Sequence, residues 1–187
     1  TKGTLEVDGK IIDEHNKRSW QYSLGYVPKQ IYIIDNTIAA NIAFGVNKED
    51  FDYARIEKVT KIANLHEFII NELPQQYETY VGERGVRLSG GQRQRIGIAR
   101  ALYHNPKVLV FDEATSALDN ITEHEVMRTL YELKKNITII IVAHRLDTIK
   151  MCDQIFHLDK GQIKHQGSFE ELKKKDSFFQ IIEDIRD

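Results

Sequence analysis

Apolar positions change their spacing twice along the 187 residues. Thr4 to Val7 and Lys10 to Ile12 flank Asp8 and Gly9, which predicts a small hairpin, and Leu24 to Val27 predicts an extended segment that Pro28 stops. The spacing then turns helical. Thr37 can cap a helix through Ala43, Asp52 to Asn64 repeats apolar residues at helical spacing, and Leu65 to Leu73 forms a further helix before Pro74. After Leu88, helix and strand alternate: Gly90 to His104, Val108 to Phe111, Ile121 to Lys134 and Ile137 to Val142. The two apolar runs lack period-two alternation, as expected of parallel strands covered on both faces. Gln154 to Leu158 and Gln162 to Gln166 predict a closing hairpin, with helices after Ser168.

This pattern predicts an α/β protein with a mainly parallel sheet and a helical lobe. The composition, 41% apolar and 29% charged, allows a sizeable core in one domain with a lobe. A formal charge of -2 gives no electrostatic footprint for nucleic acid, so no nucleic-acid partner is expected. Lys173 to Lys175 follow Glu170 and Glu171 and read as a solvated helix face. Cys152 is the only cysteine, which excludes an internal disulfide and fits a reducing compartment. The strongly apolar stretch Ile137 to Ala143 is far shorter than the roughly 20 residues that cross a bilayer. Thr1 to Lys10 has no apolar segment of a signal peptide.

In parallel sheets, ligands sit at the carboxyl ends of strands, which is where Asp112, Glu113 and His144 fall. Ser89 and Gln92 have the spacing of a capping box, so the plainest reading of Leu88 to Gln92 is a well-formed helix start. Gly90 and Gly91 exceed that reading, because a helical glycine costs up to about 1 kcal/mol relative to alanine. Without side chains there, an anion can approach the backbone amides at the favourable end of the helix dipole, and the Ser89 hydroxyl adds a donor. Farther along, Ile96, Ala99, Leu102 and Tyr103 form the core-facing stripe.

Consecutive side chains at a strand end point to opposite sides, so Asp112 and Glu113 can serve two partners. One can hold magnesium through water, and the other can polarise a water beside a terminal phosphate. As isolated residues they would read as turn or capping groups. Thr115, Ser116, Ala117, Leu118 and Asp119 follow at once, and either Asp119 or Asn120 caps the next helix. His144 could bond a terminal phosphate oxygen, although a lone histidine is more often structural.

Taken in order, these residues resemble the ATP-binding cassette (ABC) ATPases over essentially the whole chain. The resemblance implies a P-loop NTPase-like ABC core with a mainly parallel sheet, formed by 1–29 and 106–187, and a helical subdomain over 30–105 that ends in the signature helix. It makes Leu88 to Gln92 the signature, Val108 to Glu113 the Walker B strand with Glu113 as catalytic base, Ser116 to Asp119 the D-loop and His144 the switch histidine. It also implies ATP and Mg2+ as cofactors, and a second cassette as partner, since signature residues Ser89, Gly90, Gly91 and Gln92 then bind the ATP of the other cassette. Val81 to Gly85 resembles the exporter-branch loop that contacts a transmembrane domain, with Glu83 as the contact, and Thr37 to Gly45 resembles the helix after the Q-loop. A cassette ending at Asp187, C-terminal to a membrane domain at the cytoplasmic face, fits that branch.

Two stretches depart from the family pattern. Thr1, Lys2 and Gly3 resemble the residues after the Walker A helix, so the expectation is that the phosphate loop and its lysine precede Thr1, and that this chain alone binds ATP poorly and does not turn it over. Gly3 to Lys10 does not replace that loop: five residues separate Gly3 from Gly9, and Ile11 stands where Ser or Thr is needed. In the Q-loop, Lys29 falls where the glutamine is expected, with Gln30 one place later. Either Gln30 takes over magnesium coordination or Lys29 contacts phosphate directly. Two other classes remain. One is a non-catalytic interaction module; the other is a soluble cassette acting on DNA or ribosomes, for which a coiled-coil insertion or basic arm is expected and not found.

Overall fold

The computed structural model describes residues 3–82, 87–115, 117–133, 137–143, 146–175 and Phe179. The chain forms two compact units, Thr1–Ile141 and Val142–Asp187.

The first unit opens with a two-residue-per-strand hairpin, β1 (Glu6–Val7) and β2 (Lys10–Ile11), paired antiparallel with Glu6 opposite Ile11. Asp8 and Gly9 turn it with φ of 48° and 75°, the left-handed pair that suits the twist of a tight hairpin. Helix α1 (Lys17–Tyr22) follows, where the apolar pattern predicts nothing. None of its six residues is buried, so it has no apolar stripe for a periodicity to detect. Asp13 starts it by accepting from the amides of His15 and Asn16.

Strands β3 (Leu24–Val27), β4 (Val108–Asp112) and β5 (Thr138–Val142) form one sheet in the order β3-β4-β5. β3 and β4 run parallel, from Leu24 opposite Val108 to Val27 opposite Phe111. Val27, Leu109 and Phe111 are buried, as expected of the predicted strands. β5 corrects the expectation of cover on both faces. Among the described residues it is the end strand of the sheet, and it alternates half-buried with exposed positions, Ile140 being 51% and Val142 47% exposed.

Helices α2 (Ile38–Ile42), α3 (Tyr53–Ile62), α4 (His66–Glu72), α5 (Gly90–Tyr103) and α6 (Asn120–Leu133) also belong to the first unit, with 3-10 turns at Lys48–Asp50 and Gln76–Glu78. Thr37 caps α2 as predicted, accepting from the Ala40 amide at 3.1 Å, and Asp52 caps α3 by accepting from the Arg55 amide at 2.9 Å. Ile38, Ile42, Ile56, Leu65, Ile69, Ile96 and Ile98 are fully buried, and each stabilises the fold by about 1.5–3 kcal/mol relative to exposure. The 14-residue α5 packs against both α2 and α3. Its Arg100 guanidinium, pushed below its ordinary pKa by burial, donates to the carbonyls of Asn41 (2.7 Å) and Tyr32 (2.8 Å) and to Asn41 Oδ1 (3.0 Å). Asn41, fully buried, also donates to the Ile34 and Thr37 carbonyls and accepts from the Ile34 amide, which satisfies its amide group. The segment after β3 is thereby fixed to α5.

In the second unit, α7 (Leu146–Lys150) precedes a hairpin of β6 (Ile155–Asp159) and β7 (Gln162–Gly167). Lys160 and Gly161 form its two-residue turn, with φ of 48° and 77°. Helix α8 (Phe169–Lys175) starts on a reciprocal Ser168 and Glu171 box and buries Phe169 and Leu172 against Phe179, with Ile149 and Ile155 beside them.

Candidate functional site

The start of α5 takes the form its sequence predicts. Ser89 is extended, with φ of -66° and ψ of 165°; its hydroxyl accepts from the Gln92 amide at 3.1 Å, while Gln92 Oε1 accepts from the Ser89 amide at 2.8 Å. The Arg93 guanidinium donates back to the Leu88 carbonyl at 2.6 Å and anchors the entry to the helix. This box engages the amide of Gln92, leaving those of Gly90 and Gly91 as the first-turn donors outside it.

Packing within this chain does not require those two glycines. A Cβ on Gly90 would meet the Ala117 Cβ at 3.5 Å, and one on Gly91 would meet the Ala117 carbonyl oxygen at 3.5 Å and Leu118 Cδ2 at 3.6 Å, all ordinary contact distances. Gly97, two turns along the same helix, is the opposite case. A Cβ there would stand 2.3 Å from Ile31 Cδ1 and 2.7 Å from Ile31 Cγ1, so the missing side chain is the seat of Ile31. Internal packing explains Gly97; at Gly90 and Gly91 it leaves the helix-propensity penalty unaccounted for.

The acidic residues occupy the carboxyl end of β4. Asp112 ends the strand, and Glu113 follows in the left-handed region with φ of 51°, an uncommon backbone for a residue without a turn-forming side chain. Each carboxylate is met by a residue from β3 or just beyond it. The Tyr26 hydroxyl donates to Asp112 Oδ2 at 2.9 Å, and the Lys29 ammonium donates to Glu113 Oε2 at 2.5 Å. Hydrogen bonding to Asp112 and partial desolvation hold the Tyr26 hydroxyl above its ordinary pKa. The Glu113 hydrogen bond, then the charges of Glu113 and Asp112, do the same for Lys29. The β3/β4 register explains the second contact: paired residues differ by 84 in number, as Lys29 and Glu113 do, so the register extended past both strands sets them side by side.

Beyond Glu113 the chain returns to α5. The Ala117 amide donates to Gln94 Oε1 at 2.9 Å, and Gln94 is only 2% exposed. Thr115 Oγ1 donates to Glu123 at 2.8 Å, and Asp119 Oδ1 accepts from the Thr122 amide at 3.0 Å. Asp119, not Asn120, therefore caps α6, and that amide holds its carboxyl below the usual range.

The sheet end thus gathers Lys29, Asp112 and Glu113, while Gln94 connects the loop beyond them to the helix of Ser89, Gly90, Gly91 and Gln92. Gln30 is exposed. His144, Glu83 and Ser116 lie outside the described residues. Sequence reasoning missed Tyr26 and Gln94. Tyr26 carries no local signal, and only the pairing of β3 with β4 gives it a partner; Gln94 lies off the core-facing stripe and gains its partner only where the loop after Glu113 returns to α5. Among the described residues, no three His, Cys, Asp or Glu side chains converge as a metal cage, and no helix is long and apolar enough to cross a membrane.

A family model described as ABC transporter matches residues 1–116. The chain is 46% identical to an ATP-dependent lipid A-core flippase of Saccharophagus degradans over 171 residues, covering 91% of this chain and 29% of that protein. It is 43% identical to a putative multidrug export ATP-binding/permease protein of Bacillus subtilis over 182 residues, covering 97% of this chain and 31% of that one. Among solved structures, a bacterial Atm1-family ABC exporter with ATP bound superposes with a TM-score of 0.90 at 39% identity, covering 99% of this chain and 32% of the exporter chain. The chain therefore spans less than a third of each of these relatives.

Proposed function

Because the chain belongs to the ABC transporter family, as part of an ATP-binding domain of the exporter type, we propose that the polypeptide carrying it hydrolyses MgATP to drive export across a membrane. The observation that carries this reading is the carboxyl end of β4, where Asp112 and Glu113 stand together at the end of a parallel strand, each met by a donor from β3 or just beyond it.

In this reading Asp112 would hold magnesium, for which a single carboxylate suffices, and Glu113 orients and polarises the attacking water. When bound, the ion would supply positive charge to offset that of the phosphoryl group. Gln30, with a carbonyl oxygen to offer, is the Q-loop candidate for the same ion; Lys29 has three donors and no acceptor and is not a ligand for it. His144 bonds the terminal phosphate. The Gly90 and Gly91 amides, with Ser89 and Gln92, close on ATP held by a second such domain, toward which Asp119 also turns. Glu83 meets the transmembrane domain, and 30–105 moves as the helical lobe. The lipid A flippase and the multidrug export protein suggest an amphipathic cargo.

The whole polypeptide, reconstituted in vesicles, should release phosphate from ATP. Glu113→Gln should slow that release by about 10²-fold or more, with nucleotide still bound. Turnover unchanged by the substitution would remove Glu113 from the role and overturn the reading.

A further inference from the structure

Lys29 has a position in the fold that a surface lysine would not need. Its ammonium is 2.5 Å from Glu113 Oε2 at the residue offset that continues the β3/β4 register, and the field of Asp112 also acts on it. Tyr26 meets Asp112 with a neutral donor, whereas Lys29 brings a full positive charge to Glu113. Two adjacent carboxylates without a counter-ion repel a polyphosphate. An ammonium offsets that repulsion without ligating anything, and it repels a second cation.

We propose that Lys29 is a standing monovalent counter-ion for Asp112 and Glu113, so that nucleotide binding at this strand end depends less on a divalent cation than it would with a neutral residue at position 29. The proposal rests on the ATP-binding reading above and adds a charge requirement to it. Lys29 is a positioning residue here: it holds Glu113 and the local potential and takes no part in bond making. Its side chain is 60% exposed, so replacing it leaves the core intact.

The test compares the wild-type whole polypeptide with Lys29→Met, which removes the charge without adding an oxygen ligand, and Lys29→Arg, by titration with trinitrophenyl-ATP in magnesium and again in excess EDTA. The quantity read is the ratio of the dissociation constant in EDTA to that in magnesium for each protein. Lys29→Met should raise that ratio by about tenfold over wild type, the scale of one partly screened unit charge. Lys29→Arg, which keeps the charge, should match wild type. Equal ratios in wild type and Lys29→Met would overturn the proposal, as would an arginine variant that behaves like methionine. If the wild-type protein fails to bind the probe even with magnesium, the ATP-binding reading falls, and the counter-ion proposal with it. Binding with equal ratios removes the counter-ion role alone.

Discussion

The two ends of the candidate site are finished in opposite ways. At the carboxyl end of β4 the chain meets its own acidic groups, Asp112 through Tyr26 and Glu113 through Lys29. At the start of α5 it completes a capping box and then leaves two glycines whose missing side chains would find ordinary room. In the proposed function, the strand end serves nucleotide held by this chain, whereas the bare helix start receives nucleotide held by another. The contrast is one of physical cause: register and charge organise the first region, and restraint in side-chain volume organises the second.

The largest effect that could break this contrast is functional. Gly91→Ala should be neutral to about 1 kcal/mol stabilising, since alanine is the better helix former and its Cβ fits. The same change should lower ATP turnover of the whole polypeptide by on the order of ten- to a hundred-fold, the scale of losing a backbone donor aimed at an anion. Thermal midpoint and phosphate release, measured together, decide it. A destabilised variant would show that the helix start is packed from within after all.

Gly97 supplies the internal reference on the same helix. Gly97→Ala drives a methyl into Ile31 and should destabilise by about 1–3 kcal/mol in denaturant unfolding. Adding Ile31→Ala should recover part of that loss, giving a coupling energy in a double-mutant cycle. Strict additivity would mean the two residues do not meet as described.

The smallest expected effect concerns Asp119, which the structure uses as a helix cap and the family resemblance uses as a nucleotide-facing residue. Its carboxyl is held below its ordinary value of 3.8 by the Thr122 amide. A depressed carboxylate contributes stability that is present above the unfolded value and lost as pH falls through the folded one. The small advantage of wild type over Asp119→Asn in thermal midpoint should therefore be full at pH 7, start to shrink as pH falls below about 4, and vanish only at lower pH, below the folded value. Turnover unchanged in that variant would leave Asp119 as a cap alone.

Much of this arrangement was legible in the chain. Val27 before Pro28, the Ser89 and Gln92 spacing and the apolar run ending in Asp112 gave β3, the α5 start and β4 nearly residue for residue, because each carries its own local signal. What stayed hidden needed partners distant in sequence. Lys29 could be singled out, but its contact with Glu113 depends on which strands pair and at what offset. Tyr26 and Gln94 acquire roles only when β3 meets β4 and when the loop after Glu113 turns back onto α5. α1 was missed because an exposed six-residue helix has nothing to bury.

The exposed face of β5 has a practical consequence. Thr138, Ile139, Ile140, Ile141 and Val142 make a run of β-branched residues with no charge and no proline, at the edge of the sheet among the described residues. Such an edge is a template for any other extended chain of similar make-up, including its own copies. Handled by itself at high concentration, the segment should therefore self-associate through this strand. Placing a lysine at exposed Ile140 is the first change to try to keep it in solution.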